Sequence, residues 1–132
     1  MRSTTKLPPY ALVFVGGAVG AGTRIVLGQW WGSGFTFPWP TFVINITGAV
    51  LLGALYGLTG PSSPPGVGQL RLVLGTGLLG GYTTYSTFAV GPDGLILSDH
   101  LLLGVLYAIP TVALGAAGAF VAERLTRRKV HP

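Results

Sequence analysis

Three long stretches of this chain contain no charged side chain. They cover residues 25–70, 72–92 and 100–122. Only 8% of all residues are charged, whereas soluble domains carry about 25%. Isolated charges between long apolar runs are typical of helices that cross a lipid bilayer. The sequence therefore predicts an all-α membrane protein. The basic residues punctuate these runs instead of forming a patch, so nucleic acid is not an expected partner.

Four segments are long and apolar enough to span a membrane, because about 20 helical residues cover roughly 30 Å of hydrocarbon. We predict transmembrane helices over residues 10–27, 42–58, 72–90 and 101–122, which form a single domain over residues 1–132. The first segment is not expected to be a cleaved signal peptide, because Arg24 lies in its C-terminal third and three further spans follow. Residues 28–40 contain all three tryptophans and predict an interfacial or re-entrant link.

Glycines four residues apart occur in each of the first three spans: Gly16 and Gly20, Gly53 and Gly57, Gly77 and Gly81. This spacing puts small residues on one side of a helix and allows a close approach of backbones, which is the favoured interpretation of the first two pairs. The third pair is followed by six successive hydroxyl side chains at residues 82–87. Irregular backbone inside a membrane is tolerated where protein or a polar cavity covers it, so we predict a broken helix lining a polar space.

Uncharged polar side chains also lie in the second and fourth predicted spans: Thr41, Asn45, Thr47, Tyr107 and Thr111. The three acidic residues lie in loops or at a span end, and Arg24 is the one charged side chain within a span. A proton-coupled carrier needs an embedded carboxylate or histidine, which this pattern lacks. Neutral donors with one arginine therefore favour a passive anion pathway over a cation pore or a pump. Interhelical hydrogen bonding is the alternative for Asn45 and Thr47.

The broken third span offers two further kinds of ligand. A helix interrupted at Gly80 frees carbonyl oxygens such as those of Gly80 and Thr83, and these suit an alkali cation. Tyr85 and Phe88 are three residues apart on one helical face. The edge of an aromatic ring is electropositive and stabilises an anion, although ordinary ring packing is the alternative for this pair.

These motifs resemble those of the Fluc (CrcB-type) fluoride channels. The matching residues are Arg24 at the end of a Gly-rich span, the motif Thr41-x-x-x-Asn45-x-x-Gly48, and GGYTTYSTF at residues 80–88. The resemblance covers all four spans. It implies an antiparallel dimer with two pores around a central sodium ion that is structural and is not transported. It also implies passive fluoride export, which lowers cytoplasmic fluoride, from a multi-pass protein of the cell membrane.

The resemblance also implies roles for individual residues. The carbonyls of Gly80 and Thr83 of both subunits would hold the sodium ion. The implied anion pathway consists of Arg24, Thr41, the amide donor Asn45, the aromatic residues Tyr85 and Phe88, and a hydroxyl track of Ser86, Thr87, Tyr107 and Thr111. Two positions depart from the family pattern. Tyr85 stands where Phe is usual, which adds a hydroxyl that can donate to an anion or block it, and Gly91 stands where an acidic residue is common.

The distribution of basic residues predicts the orientation of the chain. With four spans, both termini and the loop between the second and third spans share one side, which collects seven basic residues: Arg2, Lys6, Arg71, Arg124, Arg127, Arg128 and Lys129. The other side has at most Arg24. The positive-inside rule then places the termini in the cytoplasm. An antiparallel dimer of chains with fixed orientation needs a homologous partner of opposite orientation, so a heterodimer is predicted, with a homodimer as the alternative.

Two other functions stay open at this point. A small four-helix multidrug exporter has a similar length, but it is expected to carry an embedded glutamate in its first span, and residues 10–27 contain none. A non-conducting membrane interaction subunit would use the same glycines and hydroxyls for packing and hydrogen bonding alone.

Overall fold

The computed structural model describes residues 7–31, 37–60, 63–64, 66–84 and 101–130, with side chains for all of these except 101 and 128–130. Helix α1 is Pro9–Trp30 and α2 is Trp39–Leu58. Helix α3 covers residues 67–82 and consists of α-helical Val67–Leu70, π-helical Arg71–Leu79 and α-helical Gly80–Tyr82. Helix α4 is Leu101–Val130. No strand occurs among the described residues, and the predicted all-α class is confirmed.

Helices α1 and α2 both extend further into the link between them than the sequence suggested. Helix α1 continues past Leu27 to Trp30, and α2 begins at Trp39 with Pro40 in its first turn. Proline is tolerated there because the first N–H groups of a helix have no intrahelical acceptor. Gly28 in turn weakens a helix by only about 1 kcal/mol relative to alanine. The predicted link over 28–40 was therefore too long, and only residues 31–38 separate the two helices.

Helix α3 ends inside the predicted third span. Tyr82 is its last residue, and Thr83 has an extended backbone with φ −76° and ψ 158°. The predicted broken helix is confirmed, although the helical conformation persists two residues beyond Gly80. The rest of the predicted span lies within residues 85–100, outside the described residues.

Helices α1 and α3 pack in parallel through facing glycines. A Cβ atom added at Gly77 would lie 3.0 Å from the Gly16 Cα, and one added at Gly81 would lie 3.0 Å from the Gly17 Cα. A Cβ at Gly20 would lie 2.7 Å from the Tyr82 nitrogen. The packing interpretation of the first glycine pair is therefore confirmed, and the third pair supplies the opposite side of the same contact.

Helices α2 and α4 form the second parallel pair. A Cβ at Gly53 would lie 2.7 Å from the Ala119 Cα, and one at Gly57 would lie 3.1 Å from the Glu123 Cα. The Thr126 hydroxyl donates to the Ala54 carbonyl across the same contact, at 3.3 Å. The C-terminal ends of α2 and α4 therefore lie together, and the second glycine pair also serves packing as predicted.

The chain buries few of its apolar side chains. Ile44, Leu79 and Tyr107 form the buried apolar core of the described part of the chain, whereas Phe14 and Ile109 are 76% and 64% exposed. Three described segments are long and apolar enough to cross a membrane: Pro9–Trp30, Trp39–Leu58 and Leu102–Arg127. Exposed apolar surface of this extent suits lipid or a second subunit, so the predicted membrane protein class is confirmed.

Helix α4 continues eight residues beyond the predicted end of the fourth span at residue 122. Charged residues begin at Glu123, and the Arg127 guanidinium forms an ion pair with the Glu123 carboxylate one turn away. Such i,i+4 pairs support a helix that has left the apolar region. The basic residues at the end of the chain therefore lie on a helical extension.

Candidate functional site at the helix break

Asn45 of α2 holds the backbone where α3 ends. The Thr84 N–H donates to the Asn45 Oδ1 atom at 3.0 Å, and the Asn45 Nδ2 atom donates to the Thr84 carbonyl at 3.3 Å. One amide side chain thus pairs with both backbone polar groups of residue 84. Because backbone polar groups inside a membrane need protein partners, this contact stabilises the broken conformation. The amide-donor role implied for Asn45 toward an anion stays a prediction, and in this structure the amide is bonded to Thr84.

The loss of a helical bond at Thr84 changes the surroundings of the Gly80 carbonyl. In a continued α-helix, the Thr84 N–H would donate to the carbonyl of Gly80, four residues earlier. It donates to Asn45 instead. The extended ψ of 158° at Thr83 also turns that residue's carbonyl away from the helical direction. The Gly80 carbonyl thus loses Thr84 as its helical donor and the Thr83 carbonyl is turned from the helix direction, which fits a site of hard neutral oxygens.

Gly48 leaves room for the first residue beyond the helix. A Cβ atom at Gly48 would overlap the Thr83 Cγ2 methyl and lie 3.2 Å from the Tyr82 ring. The Thr83 hydroxyl donates back to the Leu79 carbonyl at 2.9 Å. Gly48 of the second-span motif thus lets Thr83 pack against α2 while Asn45 bonds to Thr84.

Arg24 of α1 lies at the C-terminal end of α3. Its Nε atom donates to the Gly81 carbonyl at 3.3 Å, and the side chain is half-buried. A cation is favourable there because the last carbonyls of a helix carry partial negative charge. Arg24 also lines a cavity of about 270 Å³ with Gln29, Thr41 and Thr84. The structure thus brings two predicted pathway residues, Arg24 and Thr41, to one cavity.

A second cavity lies on the other side of Asn45, between α2 and α4. It has a volume of about 330 Å³, and its polar lining residues are Asn45, Thr83, Thr84 and Thr111. The Thr111 hydroxyl donates to the Tyr107 carbonyl of its own helix. Thr84 lines both cavities, so the residue held by Asn45 lies beside a space that contains Arg24 and beside a space without charged side chains among its described lining residues. The described lining of the second cavity contains no charged side chain, and the Thr83 and Thr111 hydroxyls in it donate to carbonyls of their own helices.

Tyr107 lies one turn before Thr111, as predicted, but its ring is only 1% exposed. Phe37 packs against this ring edge to face, with a centroid distance of 5.6 Å and an interplanar angle of 73°. Phe37 precedes α2 and was not among the predicted site residues. Phe37 covers the Tyr107 ring through a contact with α4, and local sequence does not specify this contact.

Thr47 connects α2 to α3 by a hydrogen bond of 3.0 Å between its hydroxyl and that of Tyr82. The structure therefore supports the interhelical interpretation of this threonine.

Four other predicted site residues, Tyr85, Ser86, Thr87 and Phe88, lie outside the described residues, as does Gly91. Thr84, whose backbone is the partner of Asn45, was not among the residues predicted from the sequence. The available signal was that an asparagine within a span needs both a donor and an acceptor, which a helix end supplies.

The sequence of this chain is similar to those of known proteins over most of its length. The family described as "CrcB-like protein, Camphor Resistance (CrcB)" matches residues 11–122, which contain every residue of the site. A protein named "Fluoride-specific ion channel FluC 2" from Rhodococcus jostii (strain RHA1) is 43% identical over 115 residues, covering 87% of this chain and 96% of that protein. Another of the same name from Leifsonia xyli subsp. xyli (strain CTCB07) is 47% identical over 109 residues, covering 80% and 74%. A "Fluoride-specific ion channel FluC" from Novosphingobium aromaticivorans is 38% identical over 121 residues, covering 89% and 94%. On this agreement, which extends over most of its length, the chain belongs to the CrcB-like family.

Proposed function

We propose that this chain is a subunit of a fluoride-selective channel, and not an enzyme, through which fluoride leaves the cell and cytoplasmic fluoride falls. The observation that carries the proposal is the uncharged cavity at the helix break, whose described polar lining residues are Asn45, Thr83, Thr84 and Thr111. The names of the relatives support fluoride as the transported ion. They favour a channel over the multidrug exporter and the non-conducting subunit.

The lining chemistry supports passive movement. Among the described residues the one carboxylate is Glu123, far along α4 from the break, so the described part of the site offers no acidic group for proton coupling. Fluoride would exchange its water shell for hydroxyl, amide and backbone N–H donors and follow its electrochemical gradient. A negative cell interior assists the export of an anion by about 2.3 kcal/mol per 100 mV.

The first test is selectivity between halides. We expect liposomes containing the purified protein to release fluoride much faster than chloride, because a small anion gains most from close neutral donors. Ion-selective electrodes measure both effluxes, and protein-free liposomes are the control. If the chain alone is silent, it is reconstituted with a homologous chain. Equal fluoride and chloride currents across a bilayer would refute the proposed selectivity.

A structural sodium ion is the second part of the proposal. The carbonyls of Gly80 and Thr83 would hold it. When bound, its positive charge would attract these carbonyls from the broken helices of both subunits of a dimer. Gly80 is exposed on the surface of the single chain, and a Cβ at that position would meet no atom closer than the Gly75 carbonyl at 3.9 Å. The backbone there is open to the approach of a second subunit, which supports a shared site.

Removal of sodium is expected to silence fluoride efflux, although sodium itself does not cross. The measurement replaces sodium on both sides of the liposome membrane by N-methylglucamine and follows fluoride release. Restored sodium should restore flux, which separates loss of the ion from irreversible inactivation. Undiminished efflux without sodium would remove the cation from the proposal.

We further propose that the termini are cytoplasmic and that the partner subunit is a homologous chain of opposite orientation. The α2 and α4 C-termini lie at one end of the molecule, where Arg71 of α3 also donates to Thr59 at 2.9 Å. This end carries the basic extension of α4. A strong asymmetry of Lys and Arg between the two sides opposes dual insertion of one chain.

Orientation can be measured with single cysteines at Ser3 and His131, because the natural chain contains none. We expect membrane-impermeant maleimide to label both positions only after the cells are opened. A cysteine in the first connecting segment, such as Ser33→Cys, is the control and should be labelled from outside. Labelling of Ser3→Cys from both sides would instead indicate a dual-topology homodimer.

A further inference from the structure

An apolar groove runs along the α2 and α4 pair on the side away from the polar cavity. Its volume is about 580 Å³, and its lining includes Ile46, Val50, Ala117 and Val121. The polar cavity instead involves Asn45 and Ala49 of α2, the residues immediately before Ile46 and Val50. One residue step turns a helix by about 100°. The groove therefore lies on a different side of α2 from the proposed anion pathway.

The groove adjoins a smaller cavity at the end of the membrane-spanning part of α4. This cavity has a volume of about 280 Å³ and is lined by Phe120, Val121, Arg124 and Leu125. Val121 and Leu125 also line the groove, so the apolar space and the arginine are neighbours. The Arg124 guanidinium carbon lies 4.9 Å from the centre of the Phe120 ring, which fixes the cation beside apolar surface.

Arg124 is distinguished from the next arginine by its partners. Arg127 forms an ion pair with Glu123, which is the one carboxylate in the described part of the chain. Arg124 is exposed and makes the ring contact without a carboxylate among the described residues. An apolar groove that leads to such a cation complements a molecule with a hydrocarbon chain and an anionic head.

We propose that this groove binds one anionic phospholipid, with an acyl chain against Ala117 and Val121 and the phosphate at Arg124. The bilayer supplies this ligand, and the charge of Arg124 selects an anionic headgroup over a zwitterionic one. The groove and the Arg124 cavity share no described lining residue with the two cavities at the break, so failure of this proposal and failure of the proposed function are distinguishable.

Native mass spectrometry of the delipidated protein with phosphatidylglycerol or phosphatidylcholine tests this proposal. We expect wild-type protein to retain phosphatidylglycerol about fivefold more strongly, the ratio that one cation near an anionic lipid contributes. Arg124→Gln should abolish the preference. Arg127→Gln is the matched control, because it removes one charge from the same helix end but from a paired arginine, and it should keep the preference.

Ala117→Leu tests the groove itself, because this exposed residue can be enlarged without entering the contact between the helices. It should weaken the retention of both lipids, while elution volume and fluoride efflux confirm that the variant is folded.

Equal loss of the lipid preference in Arg124→Gln and Arg127→Gln would mean that diffuse surface charge attracts the lipid. Unchanged lipid binding by folded Ala117→Leu would mean that no lipid occupies the groove. Disulfide-linked dimers of Val121→Cys would place a second copy there. Each of these three results would overturn the proposal.

Discussion

Asn45→Ala is expected to lower fluoride efflux about a hundredfold. The substitution removes both hydrogen bonds to the peptide groups of Thr84. An unsatisfied buried polar group costs about 1–3 kcal/mol, so two of them favour refolding of the break into another backbone arrangement. Fluoride efflux from liposomes measures the loss, with size-exclusion chromatography to confirm that the protein is folded.

Thr47→Val is the matched control for Asn45→Ala. Thr47 also joins α2 to α3, but through the side-chain hydroxyl of Tyr82 and not through the backbone of the break. It should change efflux by less than about fivefold, since one such bond contributes about 1 kcal/mol. Wild-type efflux by folded Asn45→Ala would remove Asn45 from the conduction mechanism.

A sodium titration of Asn45→Ala separates its two possible roles. If Asn45 positions the break, residual efflux should need a higher sodium concentration, because the carbonyls of Gly80 and Thr83, which we propose bind the cation, are no longer held in place. If Asn45 only donates to the anion, the sodium concentration for half-maximal efflux should stay at the wild-type value. An unchanged sodium dependence would therefore contradict the positioning role.

Gly20→Ala is expected to destabilise the protein strongly, whereas Gly22→Ala is expected to be tolerated. A Cβ at Gly20 would overlap the Leu78 carbonyl and lie 2.7 Å from the Tyr82 nitrogen. These are backbone atoms, which cannot rotate away as a side chain can. Overpacking of this kind costs about 1–3 kcal/mol. A Cβ at Gly22, on the same helix, would meet nothing within 4 Å.

The midpoint of thermal aggregation in detergent measures this pair of variants. Gly20→Ala should aggregate at a lower temperature than wild type, and its efflux should fall because the displaced helix carries the break. Gly22→Ala should match or exceed wild-type stability, since alanine favours a helix over glycine by up to about 1 kcal/mol. Equal stability of the two variants would contradict the close α1 and α3 contact.

The three long apolar helices and the break were predictable because both follow from local physical requirements. A charge-free run must be buried in lipid or protein, and a run of hydroxyls after two glycines cannot satisfy itself as a regular membrane helix. Which helices pack against each other was harder to predict. The Gly16 and Gly20 spacing indicates a small face, but not that Gly77 and Gly81 of α3 pack against it. Likewise, Arg24 was identified as the charged residue within a span, but its acceptor, the Gly81 carbonyl, is 57 residues away in the chain.

The π-helical conformation of Arg71–Leu79 had no signal in the sequence. There the Gly80 N–H donates to the Gly75 carbonyl, five residues earlier, where an α-helix would use the fourth. Apolar residues and glycines serve either conformation, so periodicity does not separate them. The segment packs against α1, where a Cβ at Gly77 would lie 3.0 Å from the Gly16 Cα, and this contact involves residues far away in the chain.

The contact between Asn45 and residue 84 has a consequence for how this protein can vary. Asn45 bonds to a peptide group, and every amino acid except proline carries the same N–H and carbonyl. The threonine at 84 can therefore be exchanged without loss of this contact, whereas the asparagine cannot. Pairwise variation between the two positions would carry no trace of their bond, because the bond does not depend on which side chain stands at position 84.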